Sequence, residues 1–494
     1  MTDPKVRKTI DSARDDMGDL QRAMLAVFSS SVTRILARVM LIVFVVKLYG
    51  LGSFGYLGET AALVELLAAL ASFGLPKTLL AYLDQADGDP VTEGRLISNA
   101  IALSALLGII LGTVLWLLWP LIFPPSSGVP AYAAAAVFLI ATTELMLTVT
   151  RSRRVIRWDA MVKGFVKPWG FLLLCVGGYF LLVKTGIFSA VGALFAGYIA
   201  STVLALFVAL FGLIWTRRKN SYALVLPDLM GMRRLFKNSF STAIVDAGSF
   251  SFRRLDIILL GVIAGPTATG IYYLVQQLAT VVEKMRHLFE PMAAPVLAQA
   301  KSMVVTSAHL KKLCLWIFSA QVGLATVFVS FAAAILGLFD AVYMHAAILM
   351  MVILMGEIAE GTSGLIELPL VFNAPAIASR NIIIALICEI GLVALGAYNF
   401  GLMGAAAGFS LAMMLLAILR FSSAHTALGL TIIDASYAKP VGAAIVAAGA
   451  TIGLNMILVA ENNLYLAFSV VVCLLTYLLV LRLFGLSLWL ARTS

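Results

Sequence analysis

Residues 31–50 read SVTRILARVMLIVFVVKLYG, and this apolar run decides how the rest of the chain is read. About 20 apolar residues in a helix span the hydrocarbon core of a bilayer. Arg34 and Arg38 lie inside the run, four residues apart and so on one helical face. An arginine at mid-bilayer costs about 2.5–3.5 kcal/mol on insertion scales, and such residues face a bundle interior or a wet cavity. The stretch therefore predicts one helix of a larger bundle, with a cationic inner face.

Composition widens that reading to the whole chain. Of 494 residues, 62% are hydrophobic and 12% charged, and the mean hydropathy is +1.01. Soluble domains carry about 25% charged residues, so a polytopic membrane protein is expected. The net charge of +10 does not point to nucleic acid, because the basic residues fall in alternate loops. Cys175, Cys314, Cys388 and Cys473 sit in apolar runs without paired spacing, and the four histidines are scattered. Neither set suggests a disulfide, a metal site or a cofactor. The polar start, MTDPKVRKTIDSARDDMGDLQR, does not read as a cleavable signal. Its Ile10, Met17 and Leu20, with Met24 just beyond, recur at helical spacing, as in a surface helix.

Apolar windows predict fourteen spans, near 24–49, 56–83, 96–122, 130–150, 165–184, 188–215, 237–264, 267–297, 311–339, 342–370, 380–398, 401–422, 440–460 and 463–486. Loops expected inside hold Arg151, Arg153, Arg154, Arg157 and Lys163, then Arg217, Arg218, Lys219, Arg233, Arg234 and Lys237, and later Arg380, Arg420 and Lys439. The outer loops are nearly uncharged, so both ends are expected in the cytoplasm. The acidic inner loop 84–95 runs against this trend.

A shift of 215 residues superposes Arg38 on Arg253, Gly50 on Gly265, Gly55 on Gly270 and Pro76 on Pro291. Two parallel repeats follow. The expected organisation is a cytoplasmic segment 1–23, an N-lobe 24–215, a basic linker 216–236, a C-lobe 237–422, and a C-terminal part 423–494 carrying two peripheral helices. The fold class is thus all-α, with two pseudo-twofold-related six-helix lobes around a central cavity.

Further charges fall at membrane depth. Helix 7 carries Asp246, Arg253, Arg254 and Asp256, with Asp256 close enough in sequence to pair with Arg253. Glu59 and Glu65 lie on helix 2, Glu144 on helix 4 and Glu389 on helix 11, while Glu357, Glu360 and Glu367 form a stripe on helix 10. Each acid reads equally as half of an interhelical pair or as a functional group. Arg38 and Arg253 are different, because their equivalence in the repeat brings both toward the pseudo-twofold axis. Guanidinium suits phosphate through its paired donors and permanent charge. Pro76 and Pro291, late in helices 2 and 8, are candidate hinges. No Walker, HExxH, nucleophile-elbow or Rossmann motif is present, so a transporter rather than an enzyme is expected, and ATP is not its energy source.

Two stretches carry a family likeness. One is VVKLYGLGSFGYLGETAALVELLAALASFGLPKTLLAYL at 45–83, with its glycine-rich corner and FGLPK. The other is 253–299, where LD-x-x-LLG leads through GIY to a late proline. With two lobes and two extra helices, the chain resembles the oligosaccharide flippases of the multidrug/oligosaccharidyl-lipid/polysaccharide exporter superfamily. The resemblance implies translocation of an isoprenoid-pyrophosphate-linked oligosaccharide to the outer leaflet of a bacterial inner membrane, for surface polysaccharide synthesis. It implies membrane lipids, and other polysaccharide assembly proteins, as partners. It also implies pyrophosphate binding by Arg34, Arg38, Arg253 and Arg254. Ion coupling or gating would fall to Asp246, Asp256, Glu59, Glu357 and Glu360, with a proton, a sodium ion or the membrane potential as driving force. A cation-coupled drug antiporter of the same superfamily, or a membrane-embedded polysaccharide polymerase, ligase or scaffold, are the alternatives.

Overall fold

The computed structural model describes residues 33–34, 36–85, 89–153, 155–220, 222–223, 225–252, 254–286, 289, 303–339, 341–457 and 463–486. Every element among them is helical. Eleven of these helices are long and apolar enough to cross a membrane. The chain divides into two compact units, Met1–Phe250 and Ser251–Ser494.

In the first unit, α1 (36–49) ends at Gly50, whose φ of 84° and ψ of 164° belong to glycine alone. Helix α2 (Leu51–Ser72) follows at once. It stops where Phe73 and Gly74 enter the left-handed region, and α3 (Leu75–Gln85) restarts in a new direction. Pro76 therefore sits in the first turn of α3, where its missing N–H breaks no helical bond. The break that the sequence ascribes to this proline is made by the two residues before it.

Asp89 caps α4 (Pro90–Ile122) by accepting from the Val91 and Thr92 amides. Helices α5 (Ala136–Ser152), α6 (Ile156–Val183) and α7 (Ala190–Asn220) complete the bundle. Leu79, Leu145, Val149 and Leu235 share one core, and Trp158, Met146 and Ala209 another. Helix α8 (Leu229–Ser251) lies along α3, with Phe236 stacked on Phe73 at 4.3 Å and Asn238 donating to Tyr82 Oη at 2.6 Å.

Helix α6 begins nine residues before the start expected at 165. The charges at Arg157, Asp159 and Lys163 suggest a loop, but Lys163 meets acids on two sides, so the helix continues through it. Two π-turns interrupt it, at Val162–Val166 and Tyr179–Val183. The first precedes Pro168, which cannot donate to the Gly164 carbonyl, and a widened turn accommodates that loss.

The second unit opens with α9 (Leu255–Glu283), broken at Gly265 with φ 81° and ψ 174°. Gly50 and Gly265 are 215 residues apart and share a backbone conformation, so the repeat seen in sequence is also a repeat of geometry. Helices α10 (Met303–Ser330), α11 (Ala347–Ser363), α12 (Glu367–Asn373) and α13 (Pro375–Leu428) follow. The last comprises two arms joined at Gly401, packed closely where Gly396 meets Gly404 and Gly408 meets Leu392. Helices α14 (Ala438–Ile457) and α15 (Asn463–Leu483) pack on α10 through Ala443, Cys473 and Tyr477, whose hydroxyl donates to the Ser319 carbonyl at 2.7 Å.

Candidate functional site

Eight charged side chains of the first unit lie on its long apolar helices or at their ends. Arg34 and Arg38 come from α1 and its approach, Glu65 from α2, Glu144 and Arg151 from α5, and Asp159, Lys163 and Lys167 from α6. They fall into two groups. In the first, Glu144 accepts from Arg151 at 2.8 Å and from Lys163 at 2.8 Å. Asp159 faces Lys163 at 3.1 Å and Arg151 at 3.9 Å, and Thr148 Oγ1 accepts from Arg151 at 2.8 Å. Two acids and two bases cancel, and this quartet ties α5 to α6.

The second group is unbalanced. Arg34 lies within electrostatic reach of Arg38 and Asp159. Lys167 lies within reach of Glu65, Arg38, Glu144 and Lys163. Among the described residues, Arg34, Arg38 and Lys167 make no hydrogen bond and no ion pair. Asp159, Glu65 and Glu144 offset part of this charge, and cations held close to one another still repel, so that an incoming anion relieves the repulsion. Alignment of α1 with α6 sets this level. Tyr49 donates to the Cys175 carbonyl at 2.6 Å and packs edge-on against Tyr179 at 5.4 Å. Lys167 lies about 16 Å along α6 from its start at Ile156.

The remaining predicted residues of this unit lie apart from that group. Asp246 accepts from Lys77 at 2.6 Å, in a pair that joins α8 to α3. Glu59 is buried on α2, at 5% exposure.

The second unit holds its acids differently. Asp256 is fully buried and accepts from Tyr272 at 2.7 Å and Gln276 at 2.6 Å. The pairing expected with Arg253 cannot be compared, because Arg253, like Pro291, lies outside the described residues. Arg254 is half-buried at the entrance to α9. Glu357 is buried and accepts from Thr280 at 3.3 Å, and it lies with Glu389 in the electrostatic surroundings of Tyr272. Glu360 is bridged by Arg286 at 3.2 Å and Arg420 at 3.4 Å, and Arg420 also binds Glu367.

Sequence reasoning places Lys163 and Arg420 in cytoplasmic loops, whereas both lie within helices, and Arg420 is 5% exposed. It also passes over Lys167, while Arg286 stands among the helix 8 charges it places at membrane depth. The available signal was the acids: Glu144 and the α11–α12 stripe need cations nearby, and these are the cations within reach.

The all-helical fold and its long apolar helices define a multi-pass membrane protein. By its sequence, the chain belongs to the family of polysaccharide biosynthesis proteins, whose model matches residues 20–301. No curated protein matches it by sequence. Among solved structures, the lipid II flippase MurJ in an inward closed conformation matches with a TM-score of 0.69 at 14% identity, over 93% of this chain and 98% of that one. An outward-facing multidrug resistance MATE family transporter of the MOP superfamily matches with a TM-score of 0.55 at 14% identity, over 83% and 95%. A MOP superfamily transporter from Pyrococcus furiosus, described by the reversed polarity of its binding pocket, matches at 0.50 and 13%, over 83% and 95%. At these identities the likeness is one of fold.

Proposed function

We infer that the protein flips an isoprenoid-pyrophosphate-linked oligosaccharide from the cytoplasmic to the outer leaflet of a bacterial inner membrane, for surface polysaccharide synthesis. The observation that carries this reading is the group Arg34, Arg38 and Lys167, cations on α1, its approach and α6 that make no hydrogen bond or ion pair among the described residues. It is set in a chain of the polysaccharide biosynthesis family. The headgroup is taken up from the cytoplasmic side, Arg34 and Arg38 receive the pyrophosphate, and the lipid tail stays in the bilayer. Access then switches to the outer side. Arg253 and Arg254 serve the same cargo from the second repeat. Fourteen crossings, both ends cytoplasmic, and two six-helix lobes complete the arrangement. Asp246, Asp256, Glu59, Glu357 and Glu360 are the groups for proton or sodium coupling, and other polysaccharide assembly proteins are the partners.

The test uses purified protein in vesicles with a labelled lipid-pyrophosphate sugar, scored by an enzyme added outside. Wild type exposes the label, and Arg38→Ala loses most of that transfer. Equal exposure by wild type, Arg38→Ala and empty vesicles overturns the reading. The likeness to MATE transporters supports a second reading, cation-coupled drug export. Ethidium efflux that survives Arg38→Ala and collapses with Asp246→Asn would establish it instead.

A further inference from the structure

Where α6 begins and α7 finishes, the first unit carries cations that no acid answers. Acids on the adjoining helices are occupied: Glu93 binds Arg153, and Asp159 faces Lys163 at 3.1 Å and Arg151 at 3.9 Å. Arg217 is half-buried and donates to the Tyr222 carbonyl at 3.4 Å. Arg157 and Arg218 are exposed and, among the described residues, make no hydrogen bond and no ion pair.

Arg157 is nevertheless held in place. Its Cζ lies 3.8 Å from the centre of the Trp215 ring and 5.1 Å from that of Trp158. Trp158 packs edge-on against Trp215 at 6.2 Å and against Phe211 at 5.4 Å. Gly212 makes room for this seat, since a Cβ there would stand 2.8 Å from Trp158 Cγ. A guanidinium over a ring face keeps its N–H donors for a further partner. The helix itself does not explain the position, because Arg157 stands in the first turn of α6, where the helix dipole disfavours a cation.

Apolar side chains continue from both arginines into the span. On α7, Leu204, Phe207, Phe211, Ile214 and Arg218 succeed one another at spacings of three and four, a single stripe exposed along its length. It covers about 21 Å of helix. On α6, Met161 lies one turn on from Arg157 and is also exposed. The contact between Arg157 and Trp215 sets the two helices' stripes side by side. Cations, then indoles, then bare apolar surface follow the order of headgroup, interface and acyl chain in one leaflet.

We propose that this end of α6 and α7 is a binding site for an anionic phospholipid, with its phosphate on Arg157 and Arg218 and a chain along the α7 stripe. In the orientation proposed above, the lipid belongs to the cytoplasmic leaflet. It is a resident of that leaflet and not the transported lipid. Full-length protein in neutral detergent is titrated with dioleoylphosphatidylglycerol or dioleoylphosphatidylcholine, with thermal stabilisation as readout. Wild type is expected to respond to phosphatidylglycerol at roughly twentyfold lower concentration than to phosphatidylcholine, because each cation at an anionic lipid surface is worth about fivefold. Arg157→Gln and Arg218→Gln should each need about fivefold more phosphatidylglycerol, with phosphatidylcholine unchanged. Arg218 makes no bond within the described residues, so its variant carries the test if Arg157→Gln fails to fold. Lys184→Gln removes the cation over Phe180, just beyond the far end of α6, and should titrate as wild type. Phosphatidylglycerol titrations of Arg157→Gln and Arg218→Gln that match wild type overturn the proposal, as does an equal loss in Lys184→Gln. Glycerophosphoglycerol, the same headgroup without chains, should have no effect over the same range. Equal potency would make this a site for free anions and overturn the lipid assignment.

Discussion

Arg420 and Lys167 are both cations inside apolar helices, yet substitution should affect them in opposite directions. Arg420 holds Glu360 and Glu367, and its side chain is 6% exposed. Arg420→Gln takes the arginine from Glu367 and leaves Glu360 to Arg286 alone, in a region that solvates carboxylates poorly, at a cost of roughly 3–5 kcal/mol. Thermal unfolding in detergent should fall clearly below wild type. Lys167 and Arg38 have no such partner among the described residues, and they repel each other. Lys167→Gln and Arg38→Gln should therefore unfold at the wild-type temperature or above it, as expected where a binding site is held ready at the expense of stability. A drop as large as that of Arg420→Gln would make these cations structural. Sequence could not separate the two kinds. Arg34 and Arg38 stand out because no acid accompanies them in their own run, whereas Lys163, Lys167 and Arg420 lie closer to the predicted ends of their apolar runs. Whether such a residue snorkels outward or is drawn inward depends on an acid from a different helix, and that contact leaves no trace in local spacing.

At the level of helices, the repeat was the most legible feature. Gly50 and Gly265 were matched from their spacing, and their dihedral angles agree within ten degrees in ψ and three in φ. No neighbouring atom lies within 4 Å of a side chain added at either position. Gly50→Ala and Gly265→Ala thus test backbone strain without steric clash, and each should cost of order 1–3 kcal/mol in the same unfolding assay. Helix starts were less legible, as α6 shows, because a charged first turn resembles a loop until its partners are known. The linker ahead of α8 is tied down by Asp228. Its carboxylate accepts from Asn99 at 2.7 Å and from the Gly231 amide at 2.8 Å, while its own N–H donates to Asn99 Oδ1 at 2.8 Å. The Asn99 bond, then that of Gly231, holds this carboxyl below the ordinary range. A depressed value means that the stabilisation is complete above the unfolded-state value of about 3.9 and is lost as pH falls through the folded one. Proteolysis of the linker should accelerate as pH falls below about 4 in wild type. In Asp228→Asn that acceleration should be blunted.

For the molecule as a whole, class, family and repeat followed from hydropathy, basic loops and a few glycines, and the described residues include eleven helices long and apolar enough to cross a membrane, one of which takes in two of the apolar runs. Charge compensation within the first unit has a further consequence. Glu144 and Asp159 neutralise Arg151 and Lys163 in place, so a field across the bilayer exerts little net force on the quartet, whereas it acts on an uncompensated charge by about 2.3 kcal/mol per charge per 100 mV. The two acids thus decide which of the basic side chains a membrane voltage can pull upon.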